Sequence, residues 1–330
     1  MDAEAEVGVV RIGILGTARI AEPALITAAR AVPEVRVAAV AARDSSRARA
    51  YADRHGIGVA YGSYDELLAD PGIDAIYNPL PNSLHGPWTL RAIAAGKHVL
   101  CEKPFASNAA EAELVADAAA ASGLVVMEAM HYRYHPLIRR LREVVRTLGA
   151  VRYIQCWTSF VLDHPGDIRH DYALGGGALM DGGCYAIDAI RMLAEASSSG
   201  EPSVAAALAD TEPGGLVDRA MAARLTFPGG ATAWFESAFT QQGEFRADLL
   251  VVCDEGSVWV RNFILAHEGR LSGDAGLAED GAGDSTFSWQ LRAFAESVRT
   301  GSTPDTSAAN AVATMRLIDD AYRAAGLPPR

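Results

Sequence analysis

The sequence predicts two domains: a doubly wound parallel α/β sheet over residues 1–128, then an α+β domain on a largely antiparallel sheet over 129–330. Three observations carry this. Short apolar runs alternate with helix-patterned segments six times before Met130. From Val151 onward strand-like runs follow one another with few helices between them. With 330 residues, half of them hydrophobic, the chain exceeds the roughly 100–200 residues that one core usually serves.

Val9 to Leu15 is the first strand, and it opens into Gly16-Thr17-Ala18-Arg19-Ile20-Ala21, a tight turn and a helix start. Against the dinucleotide fingerprint Gly-x-Gly-x-x-Gly, Gly16 fits the first position, while Ala18 and Ala21 occupy the second and third. An ordinary strand–helix turn reads the same way. Val35 to Ala42 is the second strand. It ends without the acidic residue that would bond a ribose 2′-hydroxyl, and Arg43 follows, a residue suited to a 2′-phosphate. Asp44 reads as a helix cap. A helix from Ser46 to His55 closes at Gly56, and Val59 to Tyr61, Asp65 to Ala69 and Ala75 to Tyr77 continue the alternation.

The segment from Asn78 to His85 leaves the fourth strand as a proline-set loop. It places Leu80, Asn82 and His85 at the edge a cofactor would cross; Asn82 and His85 equally suit helix caps. His98 to Cys101 is the fifth strand and breaks abruptly into Glu102-Lys103-Pro104. Proline disfavours helix at the residue before it, so a carboxylate and an ammonium stand on a stiff corner at the sheet's carboxyl end, where open α/β sheets bind ligands. A solvated ion pair is the alternative. Asn108 to Ser122 is a helix closed by Gly123, and Leu124 to Met127 is the sixth strand.

Beyond Met130 the stretch His131-Tyr132-Arg133-Tyr134-His135 is aromatic and basic. Its two histidines have the spacing of metal ligands on a helix, but Pro136 suits a helix's first position and interrupts one running through both. No metal is expected. Strands follow at Val151 to Leu162, Ala220 to Phe227, Ala231 to Phe239, Leu249 to Cys253 and Ser257 to Val260, with Phe227-Pro228-Gly229-Gly230 as a hairpin turn. Gly269 to Ser285 reads as a mobile loop, and helices over Thr286 to Arg299 and Ser307 to Ala325 close the chain. One further helix follows Gly175-Gly176-Gly177. On it Asp181, Tyr185 and Asp188 fall at i, i+4 and i+7 and share a face. Gly182 and Gly183 cost that helix stability, which points to a close approach by something. A tyrosine flanked by acids there suits proton transfer; a stripe of satisfied polar groups is the alternative.

A net charge of −12 argues against nucleic acid as a partner. The N-terminus lacks the basic and apolar regions of a signal peptide, and no charge-free apolar run reaches the roughly 18 residues of a membrane helix. Cys101, Cys156, Cys184 and Cys253 lie far apart without a Cys-x-x-Cys, so a reduced cytoplasmic setting is expected.

Together these residues resemble the Gfo/Idh/MocA family of NAD(P)-dependent oxidoreductases. The marks are Glu102-Lys103-Pro104 after a strand and Gly-Gly-x-x-x-Asp-x-x-x-Tyr ending at Tyr185, the tyrosine variant seen in the dihydrodiol dehydrogenase and glucose–fructose oxidoreductase branch. The resemblance implies an N-terminal Rossmann domain and a second domain whose open sheet has a flat face that often forms a dimer interface. It implies a nicotinamide cofactor and a carbohydrate-like or dihydrodiol-like substrate. Arg43 and the missing acid make NADP the expected cofactor ahead of NAD. Second-domain strands apolar on both faces, as at Ile154, Cys156, Trp157 and Phe160, make a homodimer or dimer-based tetramer the expected assembly. Expected cofactor residues are Gly16, Thr17, Ala18, Arg19, Ile20, Arg43, Leu80, Asn82, His85, Glu102 and Lys103. Expected catalytic residues are Lys103, Tyr185 and Asp181, and Tyr132, Arg133 and Asp188 are expected at the substrate. Tyr185 is the expected general acid in reduction and base in oxidation. A phenol titrates near 10, and a nearby ammonium favours its ionised form. A non-catalytic nucleotide-sensing protein and a lyase or glycosidase that retains its nicotinamide are the alternatives.

Overall fold

The computed structural model describes residues 8–162, 164, 166–211, 214–240, 243 and 245–330. The chain forms two compact units. One takes in the chain up to Ala106, Ala110–His131 and Phe287–Ala311; the other takes in Ser107–Ala109, Tyr132–Thr286 and Val312–Arg330.

The first unit is built on six parallel strands: β1 (Val10–Leu15), β2 (Val35–Ala41), β3 (Val59–Tyr61), β4 (Ala75–Asn78), β5 (His98–Cys101) and β6 (Val126–Glu128). Their order is β3-β2-β1-β4-β5-β6, and Ile12, Ile14, Val40, Ile76 and Leu100 are buried. Helices on both faces account for these continuous apolar runs. The strand order reverses between β1 and β4, which opens a crevice beyond their carboxyl ends. Ile14 lies opposite Tyr77, and Asn78 opposite Cys101. The loops that start at Gly16, Pro79 and Glu102 therefore leave the sheet side by side. Local signals set the helices. Asp44 accepts from the Ser46 and Arg47 amides at 2.8 and 3.1 Å and starts Ser45–His55, and Gly56 ends it with φ of 71°. From the Phe287–Ala311 stretch, Arg292 donates to the Ala31 carbonyl at 2.9 Å.

The second unit holds β7 (Val151–Val161), β8 (Ser203–Thr211), β9 (Asp218–Thr226), β10 (Thr232–Thr240), β11 (Arg246–Cys253), β12 (Gly256–Arg261), β13 (Arg270–Gly273) and β14 (Ala278–Asp280). The order is β14-β13-β12-β11-β7-β10-β9-β8, antiparallel throughout except for the parallel β7–β10 pair. Strands β13 and β14 correct the reading of Gly269 to Ser285 as a mobile loop. Arg270 pairs with Asp280 across them at 2.7 Å and Leu271 is fully buried. An edge strand pairs through its backbone, so its glycines and acids do not prevent it. Strand β8 also lay outside the sequence reading, because an alanine run has little intrinsic preference for strand.

One face of this sheet is covered. Ile154, Cys156 and Thr158 of β7 are buried on it, and Ser237 of β10 donates to the Ala178 carbonyl at the start of a helical segment, at 2.8 Å. The opposite face carries Leu208, Ala222, Glu236 and Trp157 in one cross-strand row. The next row holds Trp234, Gln155, Leu250 and Trp259. Trp157 and Trp259 stack there with ring centres 5.7 Å apart, and Leu208 is 73% exposed.

Candidate active site

In the first unit the site begins at Gly16, where the chain leaves β1 with φ of +79°. A side chain there would be strained by its backbone and would lie 3.0 Å from the Leu80 methyl. The turn that follows passes Thr17 and Ala18 to the exposed Arg19 and Ile20. Beside it Arg47 donates to the Thr17 hydroxyl at 2.8 Å, and Thr17, Arg19, Arg47, Arg54, Tyr51 and Glu22 line a cavity of about 270 Å³. Arg43 is exposed at the end of β2, with no acid ahead of it. Three arginines in one cavity suit a phosphate, because guanidinium donors match its oxygens. The residues present therefore fit a phosphorylated dinucleotide. Arg47 and Arg54 were not among the expected residues; Arg47 stands four residues after Arg43, a spacing legible in the sequence.

The Glu102-Lys103-Pro104 corner is held from behind. Tyr77 donates to Glu102 Oε1 at 2.7 Å, and the Lys103 amide donates to Oε2 at 3.3 Å. The Phe105 amide donates to buried Glu128 at 2.9 Å. His85 lies between the two loops, with Nδ1 2.7 Å from the Pro104 carbonyl and Nε2 2.7 Å from the Leu80 carbonyl. Its ring is buried, and burial pushes its pKa down to about 4, against the pull of both carbonyls and with Lys103 adding to the fall. At neutral pH the ring is therefore neutral and donates through one nitrogen. Glu102 and His85 thus spend their polar atoms inside the protein, where the sequence reading had placed them against a cofactor. Their effect is to fix the Leu80 loop and the backbone on either side of Lys103, itself only half-buried. Asn82 is likewise half-buried, in the short Asn82–Leu84 helical turn.

In the second unit a π-helical segment, Leu179–Gly183, runs into the helix Cys184–Ala196. The two glycines within it answer the packing of the sheet. A Cβ at Gly182 would come 2.8 Å from the Ser237 hydroxyl and 3.2 Å from that of Thr158, so β10 and β7 make the close approach. Asp181 accepts from Arg169 Nε at 2.6 Å, and Arg169 also bonds Asp167 at 3.1 Å. The Tyr185 ring meets Tyr132 edge-on at 6.0 Å. Tyr132 donates to Asp188 Oδ2 at 2.5 Å, and Arg133 pairs with Asp188 Oδ1 at 3.1 Å. Tyr132, Arg133 and Asp188, expected at the substrate, are each 2% exposed or less and form an ionic network behind Tyr185 that Arg133 extends to exposed Glu195 at 3.6 Å. Burial, with Asp188 next, raises Tyr132 well above its usual value, so it stays a donor. The wider π turn carries Asp181 away from this network to Arg169, while Tyr185 and Asp188 both face Tyr132. Among the described residues no group of three or more His, Cys, Asp or Glu is placed to hold a metal ion.

A doubly wound parallel sheet is thus followed by a mostly antiparallel sheet, and the second unit carries a tyrosine and an acid on one glycine-bearing helical segment. Residues 10–130 match the family model of the Gfo/Idh/MocA oxidoreductases with an NAD-binding Rossmann fold, and residues 138–259 match that family's C-terminal domain. The chain belongs to this family. It is 40% identical to an NADP(+) D-xylose 1-dehydrogenase of Haloferax volcanii, over 95% of this chain and 96% of the relative. Aldose-aldose oxidoreductase from Caulobacter crescentus, solved with glycerol, superposes with a TM-score of 0.87 at 29% identity, covering 96% of this chain and 98% of that one. A 3-ketoreductase from Actinomadura kijaniata, solved with NADP and TDP-benzene, gives 0.84 at 29% identity, with 96% and 98% covered. That enzyme has also been solved as tyrosine-to-phenylalanine and lysine-to-alanine variants.

Proposed function

We propose that the protein is an NADP-dependent dehydrogenase or reductase of a sugar, polyol or dihydrodiol-like substrate, with the unit of the parallel sheet, which takes in Phe287–Ala311, serving the cofactor and the unit of the antiparallel sheet serving substrate and assembly. The observation that carries the cofactor choice is the cluster of Arg19, Arg47 and Arg54, with Arg43 and no acid at the end of β2. Bound NADP supplies or accepts the hydride. Gly16 to Ile20, Arg43 and Leu80 hold it, with Asn82 and Lys103 beside them. Tyr185 takes the substrate hydroxyl's proton in oxidation and returns it to the carbonyl oxygen in reduction, while Lys103 favours the charge that develops on that oxygen. Asp181, fixed by Arg169, orients a neighbouring hydroxyl. A carbohydrate-like substrate accords with relatives named for xylose, aldose and dideoxyglucose chemistry.

A homodimer or dimer-based tetramer forms on the uncovered sheet face, and the cytoplasm is the proposed compartment. The four cysteines, buried and outside any disulfide, accord with it, and among the described residues no helix is long and apolar enough to cross a membrane. Following NADPH absorbance against a panel of aldoses, polyols and diketones tests the reading. Net turnover on at least one class is expected; cofactor binding without net turnover on any of them would leave the regulatory or lyase alternative.

A further inference from the structure

The start of the helical segment that carries Asp181 and Tyr185 rests on three buried groups that come from distant parts of the sequence. Asp218 opens β9, and both it and Arg330 have side chains no more than 1% exposed. Asp218 Oδ2 accepts from the Leu179 amide at 2.7 Å, the first residue of the segment. Its Oδ1 accepts from Tyr322 at 2.8 Å and from Arg330 Nη2 at 2.6 Å. Arg330 Nε donates to the Gly176 carbonyl at 2.7 Å, and its guanidinium lies over the Tyr322 ring at 4.1 Å.

Gly177 fits against this cluster with φ of +135°. A Cβ there would fall 2.2 Å from Asp218 Oδ1 and 2.9 Å from Arg330 Nη2. The Gly177 carbonyl in turn accepts from the Asp181 amide at 3.0 Å. A path of direct bonds therefore leads from Arg330 through Gly176, Gly177 and Asp218 to Leu179 and Asp181, one turn before Tyr185. Most arginines of the chain keep their heads near water. Here the guanidinium is withdrawn completely, at a desolvation cost that only full satisfaction of its donors offsets.

We propose that Arg330 is a positioning residue for the reaction: by clamping Asp218 and the Gly176 carbonyl it holds the helical segment in the register that presents Asp181 and Tyr185. This rests on the role given to Tyr185 above. A displacement of about 1 Å at a reacting group can cost about 10²-fold in rate, and Arg330→Met removes both the fork and the charge.

The test is steady-state kinetics of the full-length Arg330→Met, Tyr185→Phe and double variants on the best substrate of the panel, with NADPH affinity by fluorescence titration. Arg330→Met is expected to lower kcat by roughly 10–100-fold, with KM and NADPH affinity within about twofold of wild type. On the Tyr185→Phe background the same change should have almost no further effect, because a group that acts only by positioning Tyr185 has nothing left to position. A kcat for Arg330→Met within twofold of wild type, beside a crippled Tyr185→Phe, overturns this assignment alone. So does a loss that multiplies undiminished with that of Tyr185→Phe. Full activity in Tyr185→Phe overturns the reading of Tyr185 and this inference with it. If Arg330→Met does not fold, Arg330→Lys, which keeps the charge but not the fork, is read by the same outcomes.

Discussion

Tyr185 and Arg43 carry the sharpest expectations at the scale of single residues. Tyr185→Phe removes one hydroxyl and leaves the edge contact with Tyr132 in place, so the helix should survive. Loss of an acid–base group costs about 10²–10⁴-fold in rate, and NADPH affinity should be unchanged; a variant within a few-fold of wild type would assign the proton elsewhere. Lys103→Ala should lose at least as much. In the double variant the losses should fall short of their product if both residues serve one proton transfer. Arg43→Ala tests the cofactor. A charge-assisted bond contributes about 1.5–3 kcal/mol, so NADPH affinity should fall roughly 10–100-fold, with NADH nearly unaffected. Tighter binding of NADH than of NADPH by the wild type would refute the preference.

Two elements owe their geometry to buried polar groups, and each gives a stability expectation. The Tyr132–Arg133–Asp188 network backs the helix that carries Tyr185. Asp188→Ala takes from buried Arg133 the carboxylate it meets at 3.1 Å, while Glu195, which Arg133 meets at 3.6 Å, is exposed. Removing one partner of a buried pair costs about 3–5 kcal/mol, and urea denaturation that shows less than about 1 kcal/mol would mean the network is slack. The His85 staple ties the loop after β4 to that after β5. Its folded pKa of about 4 lies below the value near 6.5 of the unfolded chain, so between the two the unfolded state binds more protons. Its contribution is complete above pH 6.5 and is lost as pH falls toward 4, by on the order of 3 kcal/mol. The stability difference between wild type and His85→Asn should shrink over that window. A difference that stays constant from pH 7 to 4 would show that the ring does not titrate there.

At the scale of the whole molecule the uncovered face of the second sheet is the feature that calls for a partner. Trp157, Trp259, Trp234, Leu250 and Leu208 share it, the tryptophans and Leu250 half-buried and Leu208 73% exposed. Light scattering at micromolar concentration should return a multiple of the 34.8 kDa chain mass. Trp259→Glu should lower that mass toward one chain, because burying an unpaired carboxylate in an apolar interface is costly. A wild-type mass near 35 kDa would reject the assembly.

Much of this was legible in one dimension. Strand–helix alternation, Gly56 and Asp44 at helix ends, and the break at Glu102-Lys103-Pro104 are local signals, and local signals suffice where a strand is buried on both faces and a helix is capped by its own neighbours. The same reading placed Tyr185 and Asp181 on one helical segment. It went astray wherever a residue's meaning depended on a partner far along the chain. The polarity of Tyr132, Arg133 and Asp188 is visible in sequence, while their bonding to one another across more than fifty residues is not. Likewise Gly182 and Gly183 announced a close approach without saying that β7 and β10 make it. Strands β13 and β14, at one end of the sheet, pair through backbone groups that every sequence possesses. Arg330, the farthest of all from the helix it steadies, acquires its role only when folding withdraws its charge from water and sets it against Asp218.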